Sequence, residues 1–340
     1  MSGLGNWTHH LTSYLTPLRL FVRMLRRLSS IGFARISTLA VRFSSSSAAV
    51  PPLVSCEWLH KQLGAKASCP KVVDASWYLP AMKRNGRAEY LAKRIPTATF
   101  FDIDATDDTS NLPHMVPSAA FFSQAMMQCG VSNADHVVVY DGKGLFSAAR
   151  LWWMLRAFGH ERVSVLDGGL PAWVAAGLAL EEGSPPSAAR GAFFTAALRP
   201  GAVTDAARLL AHVTAPNAAE PLLVVDARPA ERFEGIVVEV RPGCRSGHIP
   251  GSRSVPFGAL LEPSGKMRPP DELRAVFDGA GVALDAAGPP LVTSCGSGVT
   301  AAVVMLGLAQ LGRSERVSLY DGSWAEWGSD PSKPLATGPA

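Results

Sequence analysis

The chain repeats itself. Residues 137–173, VVVYDGKGLFSAARLWWMLRAFGHERVSVLDGGLPAW, align without a gap on residues 291–327, LVTSCGSGVTAAVVMLGLAQLGRSERVSLYDGSWAEW, at one constant offset of 154. The alignment pairs Asp141 with Cys295, Gly142 with Gly296, Gly144 with Gly298, Asp167-Gly168 with Asp321-Gly322, and Trp173 with Trp327. Upstream, KVVDASW (71–77) echoes LVVDARP (223–229), and RIPTATFF (94–101) echoes HIPGSRSVPF (248–257). A period of this length is that of a whole domain, so the chain must fold as two similar units. In each unit short Val-rich runs alternate with stretches of helical length, which predicts an α/β fold: two tandem domains, each a parallel sheet flanked by helices. Residues 181–203, rich in Gly, Pro, Ser and Ala, read as a linker. The expected domains are therefore 51–180 and 204–330, with a tail at 331–340.

The amino terminus differs in kind. Residues 1–56 contain no Asp or Glu but carry Arg19, Arg23, Arg26, Arg27, Arg35 and Arg42 and many serines. In LTPLRLFVRMLRRL four of these arginines share one helical face, opposite Leu20, Phe21, Met24, Leu25 and Leu28. This composition is that of a transit peptide over residues 1–50, addressed to the mitochondrial matrix in preference to a plastid. Removal after Arg42 turns the formal net charge from +4 to −2. The basic balance thus belongs to the leader, and no nucleic-acid partner is expected. No uncharged apolar run reaches about 18 residues, so no membrane span is expected.

The two units differ most at one point. After a short apolar run the second unit places Cys295, a tight glycine loop and then the helical stretch from Ala301. Gly296 and Gly298 let the backbone curl, so that the N–H groups of residues 296–300, including Val299 and Thr300, point inward at one site. Such a cradle stabilises an anion, and the natural anion here is the Cys295 thiolate. The first unit builds the same cradle around Asp141. An acid and a thiol at equivalent positions predict an exposed loop position rather than a core one. Cys56, Cys69, Cys129 and Cys244 are scattered with no CxxC pair, which argues against a disulfide framework or a thiolate metal site.

At this point the residues resemble a known family. The tandem repeat, the loop CGSGVT (295–300), GHIPG (247–251), DGSWAEW (321–327), DASWYLP (74–80) and HMVPS (114–118) together look like the rhodanese-type sulfurtransferases. The likeness runs from about residue 53 to 328, and its neutral loop is similar to that of the 3-mercaptopyruvate sulfurtransferases. Thiosulfate-preferring members carry basic residues there. The resemblance implies sulfur transfer from 3-mercaptopyruvate through a Cys295 persulfide to a thiol, thioredoxin or cyanide, with no metal or organic cofactor. It implies that Arg232 in AERFEG and Arg241 in EVRPG bind the donor's carboxylate and keto oxygen, a role suited to the planar, permanently charged guanidinium. It further implies a relay in which Ser297 works with His114 and Asp104 of the first domain. Two departures stand out: GIVVEVRPG (235–243) where the family has a Thr and prolines before the arginine, and RIPTA (94–98) where it has His-Ile-Pro-Gly. The other readings are a thiosulfate sulfurtransferase, a cysteine phosphatase and a non-catalytic sulfur carrier. The phosphatase wants an arginine at the end of the loop, and residue 301 is Ala.

Overall fold

A computed structural model describes residues 50–65, 69–185, 193–215, 221–285 and 287–340. The leader up to residue 49, and residues 186–192 of the expected linker, lie outside the described residues.

The Val-rich runs form short strands because β-branched side chains suit a sheet buried on both faces. The first sheet contains β1 (Leu53–Val54), β2 (Lys71–Asp74), β3 (Thr99–Phe100), β4 (Val137–Tyr140) and β5 (Val163–Leu166), in the order β1-β5-β4-β2-β3. The second contains β6 (Val203–Thr204), β7 (Leu223–Asp226), β8 (Arg253–Ser254), β9 (Leu291–Ser294) and β10 (Val317–Tyr320), in the order β6-β10-β9-β7-β8. Every pairing is parallel, and the orders match strand for strand. The repeat in the sequence is a repeat of topology.

Helices cover both faces. Ala148–Ala157 and its repeat partner Ala301–Gln310 pack against each other at the centre of one core that draws residues from both sheets. Val303, Val304, Leu306 and Leu308 are all buried there, which is why this helix has no polar stripe. Gly307 allows the close approach, since a Cβ would lie 3.3 Å from Leu260 Cδ1. Two smaller cores lie under the outer helices.

The domains interlock through their repeat-equivalent aspartates. Asp167 Oδ1 accepts from Met267 N–H at 2.9 Å, and Asp321 Oδ2 accepts from Val116 N–H at 2.7 Å. Each carboxylate thus crosses to the backbone of the other domain.

RIPTA keeps the turn of its counterpart despite lacking the glycine. Thr97 adopts φ +67° where Gly251 adopts φ +77°. A β-branched residue is strained in this left-handed region. Past residue 330 the chain stays on the second domain, where Ala336 bridges His248 and Trp327 Nε1–H donates to Pro334 O at 2.7 Å. Among the described residues no helix is long and apolar enough to cross a membrane.

Candidate active site

Cys295 leaves the carboxyl end of β9 at the mouth of the helix Ala301–Gln310. The expectation of an exposed position is wrong for both domains: Cys295 is 2% exposed and Asp141 is fully buried. The reason lies in the cradle. Asp141 Oδ1 accepts from the backbone N–H groups of Lys143 (2.8 Å) and Gly144 (3.0 Å), and Oδ2 accepts from those of Phe146 (2.8 Å) and Ala148 (2.9 Å). Four donors make a buried carboxylate tolerable, and that carboxylate also caps the helix Ala148–Ala157.

In the second domain the equivalent donors are the N–H groups of Ser297, Gly298, Thr300 and Ala302. Among the described residues Ala302 N–H bonds Val299 O, while those of Ser297, Gly298 and Thr300 have no acceptor from the chain. No side chain caps the helix Ala301–Gln310. By analogy with the Asp141 cradle, these are the donors that a charge on the Cys295 sulfur, or on a second sulfur attached to it, would satisfy.

The loop is held by three bonds from one turn, Ser323 to Ala325. Cys295 N–H donates to Ser323 Oγ at 3.2 Å, and Cys295 O and Gly296 O accept from the N–H groups of Trp324 (3.0 Å) and Ala325 (2.9 Å). Ser323 has φ +49°, where its repeat partner Gly169 has φ +55°. The second domain therefore accepts a strained serine because its hydroxyl holds the cysteine's backbone. Sequence reading missed Ser323, yet the mismatch of DGG with DGS in the aligned repeat was the signal.

Arg150 was also missed. Fully buried in the first domain, it reaches across to the second: Nη1–H donates to Gly298 O at 3.3 Å, and Nη2 lies 2.6 Å from Asp321 Oδ1, an ion pair without hydrogen-bond direction. Nη2–H also donates to His114 O. Gly298 adopts φ +80°, and a Cβ there would lie 3.0 Å from both Arg150 Nη1 and Asp321 O.

His114 and Asp104 meet as expected, through His114 Nδ1 and Asp104 Oδ1. Trp77 completes the group, its ring edge-on to the imidazole at 4.5 Å and its Nε1–H donating to Asp104 Oδ2 at 2.8 Å. Partial burial raises the Asp104 pKa, but the hydrogen bond and charge of His114 and the bond from Trp77 outweigh it and hold the carboxyl below its ordinary value. Ser297 makes no side-chain hydrogen bond among the described residues. Arg150 ties the carbonyls of His114 and Gly298 together, so the loops of the expected relay meet one residue from Ser297.

Arg232 lies over the loop, 3.5 Å through Nη2 from where a Gly296 Cβ would stand. Its partner is the buried Glu239, with Nε at 3.1 Å from Oε1 and Nη2 at 2.5 Å from Oε2. Glu239 also accepts from Arg228, itself bound to Asp226 and Gly247 O. Arg241 is not joined to this group: its guanidinium has no hydrogen-bond or ion-pair partner among the described residues. Glu239 turns inward, while Ile236, Val238 and Val240 are 70, 86 and 80% exposed. Val299 faces the shared core, so only its backbone is available to a ligand, and Thr300 is half-buried. Elsewhere, burial pushes up the thiols of Cys56, Cys69 and Cys129, the last to about 11, which leaves them poor nucleophiles near neutral pH.

Comparison with known proteins agrees with this geometry. The model of the rhodanese-like domain matches twice, at residues 55–176 and 205–330. The chain is 40% identical to a mitochondrial thiosulfate/3-mercaptopyruvate sulfurtransferase of Arabidopsis thaliana, over 91% of this chain and 84% of that protein. It is 45% identical to the 3-mercaptopyruvate sulfurtransferase of Escherichia coli K12, over 83% of this chain and 96% of the relative. The crystal structure of the 3-mercaptopyruvate sulfotransferase SseA from Escherichia coli superposes with a TM-score of 0.69 at 42% identity, covering 82% of this chain and all of that one. With two matched domains and one armed cradle, the chain belongs to the rhodanese-like family and is a tandem-domain sulfurtransferase.

Proposed function

We propose that the chain takes sulfur from 3-mercaptopyruvate onto Cys295 and passes it to an acceptor. The Cys295 thiolate attacks the donor's sulfur, an S–S bond forms, and the C–S bond breaks with its electron pair entering the enolate of pyruvate. The donor's thiol proton is the one the enolate carbon needs. Ser297, His114 and Asp104 are the groups suited to carry it, with Asp104 holding the imidazole as the orienting partner. The persulfide anion then rests against the N–H groups of the CGSGVT loop. Arg232, beside Gly296, would meet the donor's carboxylate, and Arg241, whose guanidinium has no partner among the described residues, would meet the keto oxygen. In the second half-reaction a thiol, thioredoxin or cyanide attacks the outer sulfur and releases the Cys295 thiolate.

The observation that carries this reading is the contrast between the two cradles, one filled by Asp141 and the other unfilled around a thiol. The loop's lack of charge favours 3-mercaptopyruvate, a monoanion, over doubly charged thiosulfate. The Arabidopsis relative is named for both donors, so both belong in the assay. Turnover with each, side by side, together with intact-mass detection of one added sulfur, tests the reading. Cys295→Ser should show neither, and an active Cys295→Ser preparation would refute the mechanism. We place the activity in the mitochondrial matrix, on the composition of residues 1–50 and the name of that relative; fluorescence of a fusion of residues 1–50 checks it.

A further inference from the structure

The first domain keeps more of a binding site than its lack of a thiol requires. Arg84 lies over Gly142 as Arg232 lies over the equivalent Gly296: Nη2–H donates to Gly142 O at 3.3 Å. Like Arg232, it is held by a glutamate, with Nε–H donating to Glu89 Oε1 at 2.8 Å and Nη2–H to Oε2 at 2.6 Å. Both arginines follow the second strand of their own sheet, β2 or β7, so they occupy the same corner of each domain. Beside Arg84 opens a cleft of about 530 Å³, between the helices Gly86–Ala92 and Gly169–Ala175. Exposed Lys93 stands on one side, and Leu170, Pro171 and Val174 form an apolar wall on the other.

We propose that this cleft is a second, non-catalytic site for a small organic carboxylate carrying an apolar chain. The volume lies in the range of small-molecule sites, and an apolar wall with a few placed polar groups is how such sites hold a ligand. Arg84 spends Nε and Nη2 on Glu89, Tyr78 and Gly142, and its Nη1 has no partner among the described residues, so two N–H donors remain for a carboxylate. With Glu89 balancing Arg84, Lys93 gives the cleft a net positive charge. The ligand does not react. The position of the nucleophile belongs to Asp141, already bound by four N–H groups, and the Tyr78 hydroxyl covers the loop, only 2.1 Å from where a Gly142 Cβ would stand.

The test is saturation-transfer NMR on the full chain with 3-phenylpropanoate, a carboxylate that has no sulfur to transfer. Arg84→Met should weaken binding about tenfold or more, as expected when two charge-assisted hydrogen bonds from Nη1 are lost. Val174→Asp should weaken it as well, and Arg232→Met should leave it unchanged. Val174 and Lys93 lie on the surface, so Val174→Asp and Lys93→Glu carry the test if Arg84→Met fails to fold. Binding that is lost only in Arg232→Met assigns the ligand to the Cys295 cleft and overturns the proposal. So does acetate binding as tightly as 3-phenylpropanoate, or no binding to the wild-type chain at roughly millimolar ligand.

Discussion

Replacing Arg150 by Met removes one guanidinium and disconnects three groups at once. Asp321, 3% exposed, keeps among the described residues only the Val116 N–H, and the carbonyls of His114 and Gly298 lose the Arg150 donor. Breaking a buried pair from one side leaves an uncompensated charge, at a cost of about 3–5 kcal/mol. That is a large share of the roughly 5–15 kcal/mol that holds an ordinary domain together. Urea unfolding followed by tryptophan fluorescence should therefore show a much lower midpoint. Turnover should fall by about 10²-fold even where the variant is folded, because Gly298 and His114 are no longer held in one frame and small displacements of reacting groups cost that much. Arg150→Lys should rescue poorly, since one ammonium cannot span three acceptors. The double variant Arg150→Met with Asp321→Asn should recover much of the stability, both charges being gone, without recovering turnover. A single Arg150→Met variant that loses less than about 1 kcal/mol and keeps its kcat/KM would refute the argument.

Four further outcomes follow from the same geometry. Asp141→Ala strips the acceptor from four N–H groups, three of them in buried bonds, and should destabilise by about 3 kcal/mol or more by urea titration, with Asp141→Asn milder because one amide oxygen remains. Thr97→Gly should raise stability by about 1 kcal/mol, by relieving a left-handed threonine, and a lower melting temperature would count against that strain. Ser323→Gly should lower turnover and the melting temperature together, since relief of strain of about 1 kcal/mol is outweighed by the loss of the hydroxyl's bonds to Cys295 N–H, Tyr320 O and Ser294 Oγ, each about 1 kcal/mol. Because Asp104 is held below its ordinary value of about 3.9, the stability from its pair with His114 is full above that pH and lost as pH falls through the lower folded value. The gap in urea midpoint between wild type and Asp104→Asn should thus close as pH falls below about 4.

Much of this molecule was legible as sequence, because the repeat exposes what each copy changed. The two parallel sheets and the cysteine loop follow from two aligned segments and their Val-rich runs, whereas the strand order within each sheet was not read from them. The pairing of His114 with Asp104 was reachable because ten residues of loop separate them. Arg150 was not, since its acceptors lie 36 and 148 residues away and only the folded domain interface brings them to it. The burial of Asp141 was misread for a related reason: a charge signals exposure unless four backbone donors happen to converge on it, and convergence is a property of the loop's path. Arg232 and Arg241 were both candidates by motif, with the departure GIVVEVRPG counting against Arg241. Glu239 separates them, because it binds Arg228 and Arg232 while the apolar residues on either side of it turn to solvent.

The interlocked aspartates set a timetable for reactivity. Domains emerge from the ribosome in order, the first folding before the second is complete. The groups that hold the Cys295 loop lie on both sides of it in the chain: Arg150 comes long before it, and Ser323 and Trp324 come after it. A nascent or truncated polypeptide can therefore carry the thiol without the enclosure that makes it useful. The enclosure of Cys295 is complete only once residues 321–325 have been made, and a chain cut between its domains would leave the Cys295 loop without its bond from Arg150.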